Sequence, residues 1–340
     1  PELANPYLEF QFDHLFSNLL PETWETFHRC RDAIAALRPD TLLIASPTRF
    51  EYAAIAAARA THVPTIFVNH GILGKIHKFG VPTDRFWAWG ESSLRSARSA
   101  LHWQEHQVAV VGAPQIHGAI EQVVAARREP RCARLARLDL ADAGRVLLVI
   151  TGGNTEGPFS LVTGDAIWNS WQAVLAWIRA HPEITVILKP HPAADLHPWY
   201  ETIRAILPNL FVRRFNALED ALAVADGAVL MEHVTTAALV AVGASCPLLY
   251  VNTARRLENV YTARWTDELE TVRRAAEIPL ALTRLLEDAD FRAMLLDRGH
   301  DFFAKNILPS ERIPGALRKA LSRIHAAESG GPLTASSTVV

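Results

Sequence analysis

Short apolar, β-branched runs alternate with helix-like segments along this chain, and they do so twice, on either side of an arginine-rich stretch. A strand that is apolar on both faces must be covered on both. Helices inserted between parallel strands provide that cover, so alternation of this kind specifies a parallel sheet. The first series reads as strands at 41–45, 64–69, 86–89 and 107–111, with helices at 12–38, 51–60 and 92–104. In the first of these helices Leu15, Leu19, Trp24, Phe27, Ile34 and Leu37 recur at helical spacing. The second series reads as strands at 145–151, 185–189, 210–213, 227–231 and 247–251. Its helices fall at 166–179, 199–207, 218–225 and 235–242, and three more follow near 278–288, 290–304 and 312–327. In the helix at 166–179, Trp168, Trp171, Leu175 and Ile178 share one face. The expectation is an α/β chain with two Rossmann-like parallel-sheet domains facing a cleft. The first spans 1–118 and shows only three or four strands, so it reads as incomplete. A linker at 119–144 and a second domain at 145–328 follow, and 329–340 reads as a disordered tail.

With 340 residues the chain is long enough for two domains. It is 49% hydrophobic and 21% charged, a globular composition. Lys and Arg number 34 against 36 Asp and Glu, which offers no global field for nucleic acid. The local run Arg127, Arg128, Glu129, Arg131 and Arg134 has no interleaved aromatic side chains, so it reads as a solvated face or connector. Cys30, Cys132 and Cys246 are scattered, form no C-x-x-C pair, and fit a reducing cytoplasm. The longest apolar stretch, 237–251, is broken by Gly243, Ser245 and Pro247, so neither a membrane span nor a signal peptide is expected.

In open parallel sheets, ligands bind outside the carboxyl ends of the strands. The unusual residues of this chain cluster there. Gly152-Gly153 opens a loop through Gly157 whose backbone amides suit an anion, or which simply makes a turn. In Lys189-Pro190-His191-Pro192 two prolines fix the backbone around a histidine. A lysine and a rigid imidazole at a strand end suit a diphosphate, with a strand-terminating turn as the plain alternative. Asn69-His70-Gly71 sets His70 at another strand end, as a general base or as an ordinary loop histidine. Glu232-His233-Val234-Thr235-Thr236 brings two hydroxyls to the start of a helix, where one serves as a cap and the other is free for phosphate. His102-Trp103-Gln104-Glu105-His106 matches H-x-x-E-H, but it runs directly into a strand and so carries little weight as a zinc site.

In their order, these motifs resemble bacterial glycosyltransferases of the GT-B fold that build surface polymers: teichoic-acid glycerophosphotransferases, capsule Kdo transferases and polysialyltransferases. The likeness spans about residues 40–255. It rests on the stretch from Arg59 through Pro64 to Asn69-His70-Gly71, on Trp89-Gly90-Glu91, and on Gly112-Ala113-Pro114 with His117 where the family carries Asp. It rests most on Lys189-Pro190-His191-Pro192, on Ala225-Asp226 through Thr235-Thr236, and on Cys246-Pro247-Leu248-Leu249. The acid-acid-Gly motif of the polysialyltransferases is absent.

The resemblance implies a GT-B-like transferase that moves a glycosyl or polyol-phosphate group from a nucleotide-activated donor, with CMP or CDP favoured, to a surface-glycan or lipid-linked acceptor. It implies no cofactor and no metal. His191, Lys189, Thr235 and Thr236 would meet the leaving phosphate, with Gly152, Gly153 and Glu232 beside them. His70 would be the base or acceptor contact, with Glu91 behind it. The expected setting is the cytoplasm, with transient association at the inner face of the membrane. The other reading is a non-catalytic nucleotide- or glycan-binding relative in an assembly complex, and a zinc hydrolase on His102 and His106 is a third.

Overall fold

A computed structural model describes residues 15–45, 49–69, 83–100, 103–140, 144–151, 164–190, 202, 205–213, 217–231, 235–253 and 268–329. The chain forms two parallel sheets, as the alternation requires. The first carries β1 (Leu42–Ile44), β2 (Thr65–Val68), β3 (Arg85–Ala88) and β4 (Val108–Val110) in the order β1-β2-β3-β4. Its helices are α1 (Leu20–Leu37, entered through a π-helical turn at Leu15–Leu19), α2 (Arg49–Ala60) and α3 (Glu91–Ala100). The second carries β5 (Val146–Thr151), β6 (Thr185–Lys189), β7 (Leu210–Val212), β8 (Gly227–Met231), β9 (Leu248–Val251) and a two-residue β10 (Thr271–Val272) that the sequence does not announce. Its order is β10-β9-β8-β5-β6-β7. The remaining described helices are α4 (Pro114–Arg127), α5 (Arg131–Ala136), α6 (Gly164–Ala180), α7 (Leu218–Val224), α8 (Ala237–Gly243), α9 (Ile278–Glu287), α10 (Ala289–Asn306) and α11 (Ile313–Ser329).

Strand order explains how the first sheet is covered. Right-handed crossovers that advance in one direction put their helices on one face. Accordingly Ala54 and Ile55 of α2 and Ala97 of α3 pack with Ile44, Phe67, Phe86 and Val108 on one side. The opposite side, carrying Ile66, Trp87 and Val111, is closed by Ala320 and Ile324 of α11. The last helix therefore returns from the second unit to complete the first. The second sheet reverses direction and so has helices on both faces, α4, α5, α7 and α8 against one and α6 and α9 against the other.

Each sheet is pinned at its amino-terminal edge by an aspartate. The Asp84 carboxylate accepts from the Thr65 amide at 2.8 Å and its hydroxyl at 2.7 Å. Asp226 accepts from the Val146 amide at 2.7 Å and from Arg131 at 3.0 Å.

The structure corrects two expectations. Arg128 and Glu129 are exposed as expected, but the other three arginines of the run are bound into the fold. Arg127 donates to the carbonyls of Ala244 and Leu222, Arg131 to those of Val224 and Gly144, and Arg134 to that of Ala223. Apart from Gly144, which precedes β5, these carbonyls lie at the carbonyl-rich ends of α7 and α8, where cations are stabilised. Val123 and Leu135 of the expected linker lie in the main core. The buried face of α6 is also displaced, to Ser170, Val174, Trp177 and Ile178. Trp168 is 52% exposed, because it stands about 120° around the helix from Val174.

The chain passes between the two units at 111–114 and again at 306–313, and these crossings touch. His117 Nε2 lies 2.9 Å from the Leu308 carbonyl, and the Leu308 amide donates to the Trp89 carbonyl at 2.9 Å. Gly112, at φ +87°, stands against Ile313, in a backbone region that favours glycine. His117 thus fastens one crossing to the other.

Candidate functional site

From β5 the second sheet builds outward through β6 to β7, then the chain returns to β8 on the other side of β5. This reversal is a topological switch point, and the crevice it opens lies at the carboxyl ends of β5 and β8. Gly152 follows β5, Lys189 ends β6, and the segment from Glu232 to Thr236 follows β8. Strand order thus brings the carboxyl ends that carry these motifs to neighbouring positions, although they are far apart in the chain.

Lys189 is 6% exposed. Burial holds its ammonium below the ordinary lysine range, and the Glu219 carboxylate offsets part of that effect. The folded state therefore releases this proton before the unfolded state does. Between the lowered value and the ordinary 10.5, the unfolded chain binds more protons and stability rises with pH. Denaturant titrations across that alkaline window should show the rise in the wild type and lose this increment in Lys189→Met; identical slopes would remove Lys189 as its source.

At the start of α8, Thr235 Oγ1 accepts weakly from the Ala237 amide at 3.5 Å. The hydroxyl of Thr236, at the N-cap, makes no capping bond. One of the two threonines is thus uncommitted to the helix.

Unpartnered polar atoms mark the same rims. Native interiors rarely leave buried polar groups without partners. Yet Asn69 Oδ1, Trp89 Nε1, Thr151 Oγ1 and both amide atoms of Asn252 are buried with no hydrogen-bond partner. Asn69, Trp89 and Asn252 directly follow β2, β3 and β9, and Thr151 ends β5. A carboxylate oxygen of Glu51, in the first turn of α2, is likewise buried and unpaired. Sequence reading missed Thr151 and Asn252. The available signal was a polar residue closing a wholly apolar strand, as in Val146 to Thr151 and Leu248 to Asn252.

Beside the first sheet, the Asn69 amide nitrogen donates to Ser93 Oγ at 3.3 Å and ties β2 to the first turn of α3. Glu91 is exposed in that turn. His70, Gly152, Gly153, His191 and Glu232 lie outside the described residues. So does His102, while His106 sits in a separate 3₁₀ turn at Glu105–Gln107, beyond the end of α3. No group of metal-ligating side chains occurs among the described residues. Burial pushes the Cys246 thiol up to about 12, which leaves it no nucleophilic character near neutrality. No helix among the described residues is long and apolar enough to cross a membrane.

No protein-family model and no curated protein matches the chain. Solved structures do. A UDP-GlcNAc 2-epimerase from Neisseria meningitidis bound to UDP-GlcNAc superposes with a TM-score of 0.59 at 14% identity, covering 91% of this chain and 82% of that one. A glycosyltransferase from Rickettsia africae gives 0.56 at 10% identity, over 97% and 84%. The wall teichoic acid polymerase TagF, soaked with CDPG, gives 0.53 at 10% identity, over 85% and 73%. At these identities the likeness is one of fold, and the fold is GT-B-like: two parallel-sheet α/β domains.

Proposed function

We propose that this chain transfers a glycosyl or polyol-phosphate group from a nucleotide-activated donor to a hydroxylated acceptor. The observation that carries the reading is the switch point between β5 and β8, whose carboxyl rim joins Thr151, the buried Lys189 and the Thr235-Thr236 hydroxyls. Fold neighbours that include both a glycosyltransferase and a teichoic acid polymerase support it.

In this reading the donor diphosphate lies across the rim. Lys189 and His191 supply positive charge and hydrogen bonds, Thr235 and Thr236 supply hydroxyls, and the Gly152-Gly153 backbone supplies amides. Glu232 borders the same rim. The acceptor O–H attacks the donor's transferable carbon or phosphorus. A new bond to that oxygen forms while the bond to the nucleotide phosphate breaks, and the electron pair leaves on the phosphate oxygen. Fixed charges aimed at that oxygen are the principal source of rate enhancement in such a site. His70 accepts the acceptor proton, with Glu91 as the alternative base. Cytidine donors are favoured over uridine donors, and a lipid-linked glycan acceptor implies contact with the inner face of a membrane.

A thermal-shift screen against CMP, CDP, UMP, UDP and GDP tests the donor site, because a ligand of the folded state raises its Tm. His191→Ala should weaken the preferred nucleotide by about tenfold or more, the loss of one hydrogen bond to a charged group. Its ligand-free Tm should stay at the wild-type value. A lowered Tm with unchanged affinity would make His191 structural. Tight nucleotide binding without turnover of any cytidine-activated donor would favour a non-catalytic binding role. Conversion of UDP-GlcNAc without an acceptor would point to epimerisation.

A further inference from the structure

Asn252 is 1% exposed, and neither Nδ2 nor Oδ1 of its side chain has a hydrogen-bond partner. A buried carboxamide with both ends unmet is a standing cost to the fold, whereas an apolar side chain of the same shape carries none. Its neighbour is differently placed: Thr253 Oγ1 lies 2.6 Å from Ser170 Oγ and donates to the Ala166 carbonyl, fastening α6 to the end of β9. Fold stability accounts for Thr253 and not for Asn252.

The geometry points to Asn252 as the residue that reads the hydroxyl groups of the transferred moiety, a polyhydroxylated sugar or polyol, a role that rests on the donor-site reading above. Two placements carry this. Val251 pairs with Met231 and Met231 with Thr151, so Asn252 stands one residue beyond that row, on the strand next to β8 and the switch point. Side chains alternate along a strand. Asn252 therefore shares the face of Leu248 and Tyr250, whose buried cluster also takes in Trp89 from the carboxyl end of β3. The transferred moiety is the part of a donor that must meet both halves, since it leaves one substrate for the other. Lys189 stands on β6, across β5 from β8 and β9, which leaves the β9 side for that moiety. A carboxamide offers one acceptor and two donors side by side, matching a hydroxyl pair, each hydroxyl being both donor and acceptor. A phosphate, which only accepts, would engage its N–H groups and leave the carboxamide oxygen unmet. The unpaired indole N–H of Trp89 adds a second donor from the other half.

Calorimetric titration of UDP, CDP, UDP-GlcNAc and CDP-glycerol into the wild type, Asn252→Leu and Asn252→Asp tests this, together with the ligand-free Tm of each. In the wild type one sugar or polyol donor should bind more tightly than its parent nucleoside diphosphate, and the arm that shows the excess tells sugar from polyol. Asn252→Leu should erase about tenfold of that excess, leave the parent nucleotide unchanged, and keep or raise the Tm. Asn252→Asp, which retains the acceptor and loses the donor, should cut the excess without touching the nucleotide. Unchanged donor affinity in both variants, or a lowered Tm in both, would overturn the role of Asn252 and leave the donor site standing. A wild type that binds none of the four ligands would overturn the donor site, and this role with it.

Discussion

In His70→Ala, turnover falls by about 10²–10⁴-fold while donor affinity holds, the loss expected when a general base is removed from a site whose binding groups are intact. The expectation comes from position. His70 follows Asn69, and Asn69 closes β2, a buried inner strand of the first sheet, with its side chain bonded to the first turn of α3. The proposed donor groups belong to the second unit: Lys189 ends β6, and Thr235 and Thr236 lie between β8 and α8. Under the proposed function the base and the phosphate cradle fall in separate units, so chemistry and donor binding should be separable by mutation. A pH profile distinguishes the candidates. A histidine base near its ordinary pKa of about 6.5 loses activity as pH falls through that value, a carboxylate only at lower pH. Full turnover in His70→Ala would transfer the role to Glu91, and Glu91→Gln would then show the loss.

The second large effect falls on stability. A Cβ added at Gly90 would stand 2.4 Å from the Asn306 carbonyl oxygen, 2.6 Å from its carbon and 2.9 Å from the Ile307 nitrogen. All three are backbone atoms, so no side-chain rotation relieves the clash. The turn from β3 into α3 must then part from the end of α10, and the Leu308–Trp89 and Ser92–Lys305 bonds part with it. Overpacking of this kind costs about 1–3 kcal/mol, and more where the obstruction cannot move. Gly90→Ala should therefore lower the unfolding free energy by at least that range. Gly118, within α4, has no atom within 4 Å of an added Cβ. Gly118→Ala should be neutral or stabilising by up to about 1 kcal/mol. Equal stability in the two variants would show that the α10 contact is not tight.

Most of the strands were legible because their residues are buried whatever the sheet order. Thr185–Lys189 and Gly227–Met231 match the reading residue for residue, since apolar runs flanked by turn residues have few other folds open to them. The faces of helices were less legible. In α6 the tryptophan that best marked a stripe, Trp168, is exposed, because the stripe read from spacing is rotated away from the face that meets the sheet. In α1 the spacing likewise marked Trp24 and Leu37, which are 66% and 78% exposed, while Ile34 is buried. Arg127, Arg131 and Arg134 were misread because a sequence shows charge and not the partner. Carbonyls at the ends of α7 and α8 are invisible until the helices are placed.

For the site the same division holds. Local chemistry marked Lys189-Pro190-His191 and Thr235-Thr236, since a charged or hydroxylated residue after an apolar strand stands out against its neighbours. Two parallel α/β units, with their strand ends as candidate ligand positions, were specified by sequence, because apolar periodicity and the need to cover parallel strands are local properties. The tertiary structure alone decided that β8 returns beside β5, that α11 closes the first sheet, and that Asn252 is buried with its amide unmet. Each depends on which strand pairs with which, and pairing is settled by the burial of residues distant in the chain.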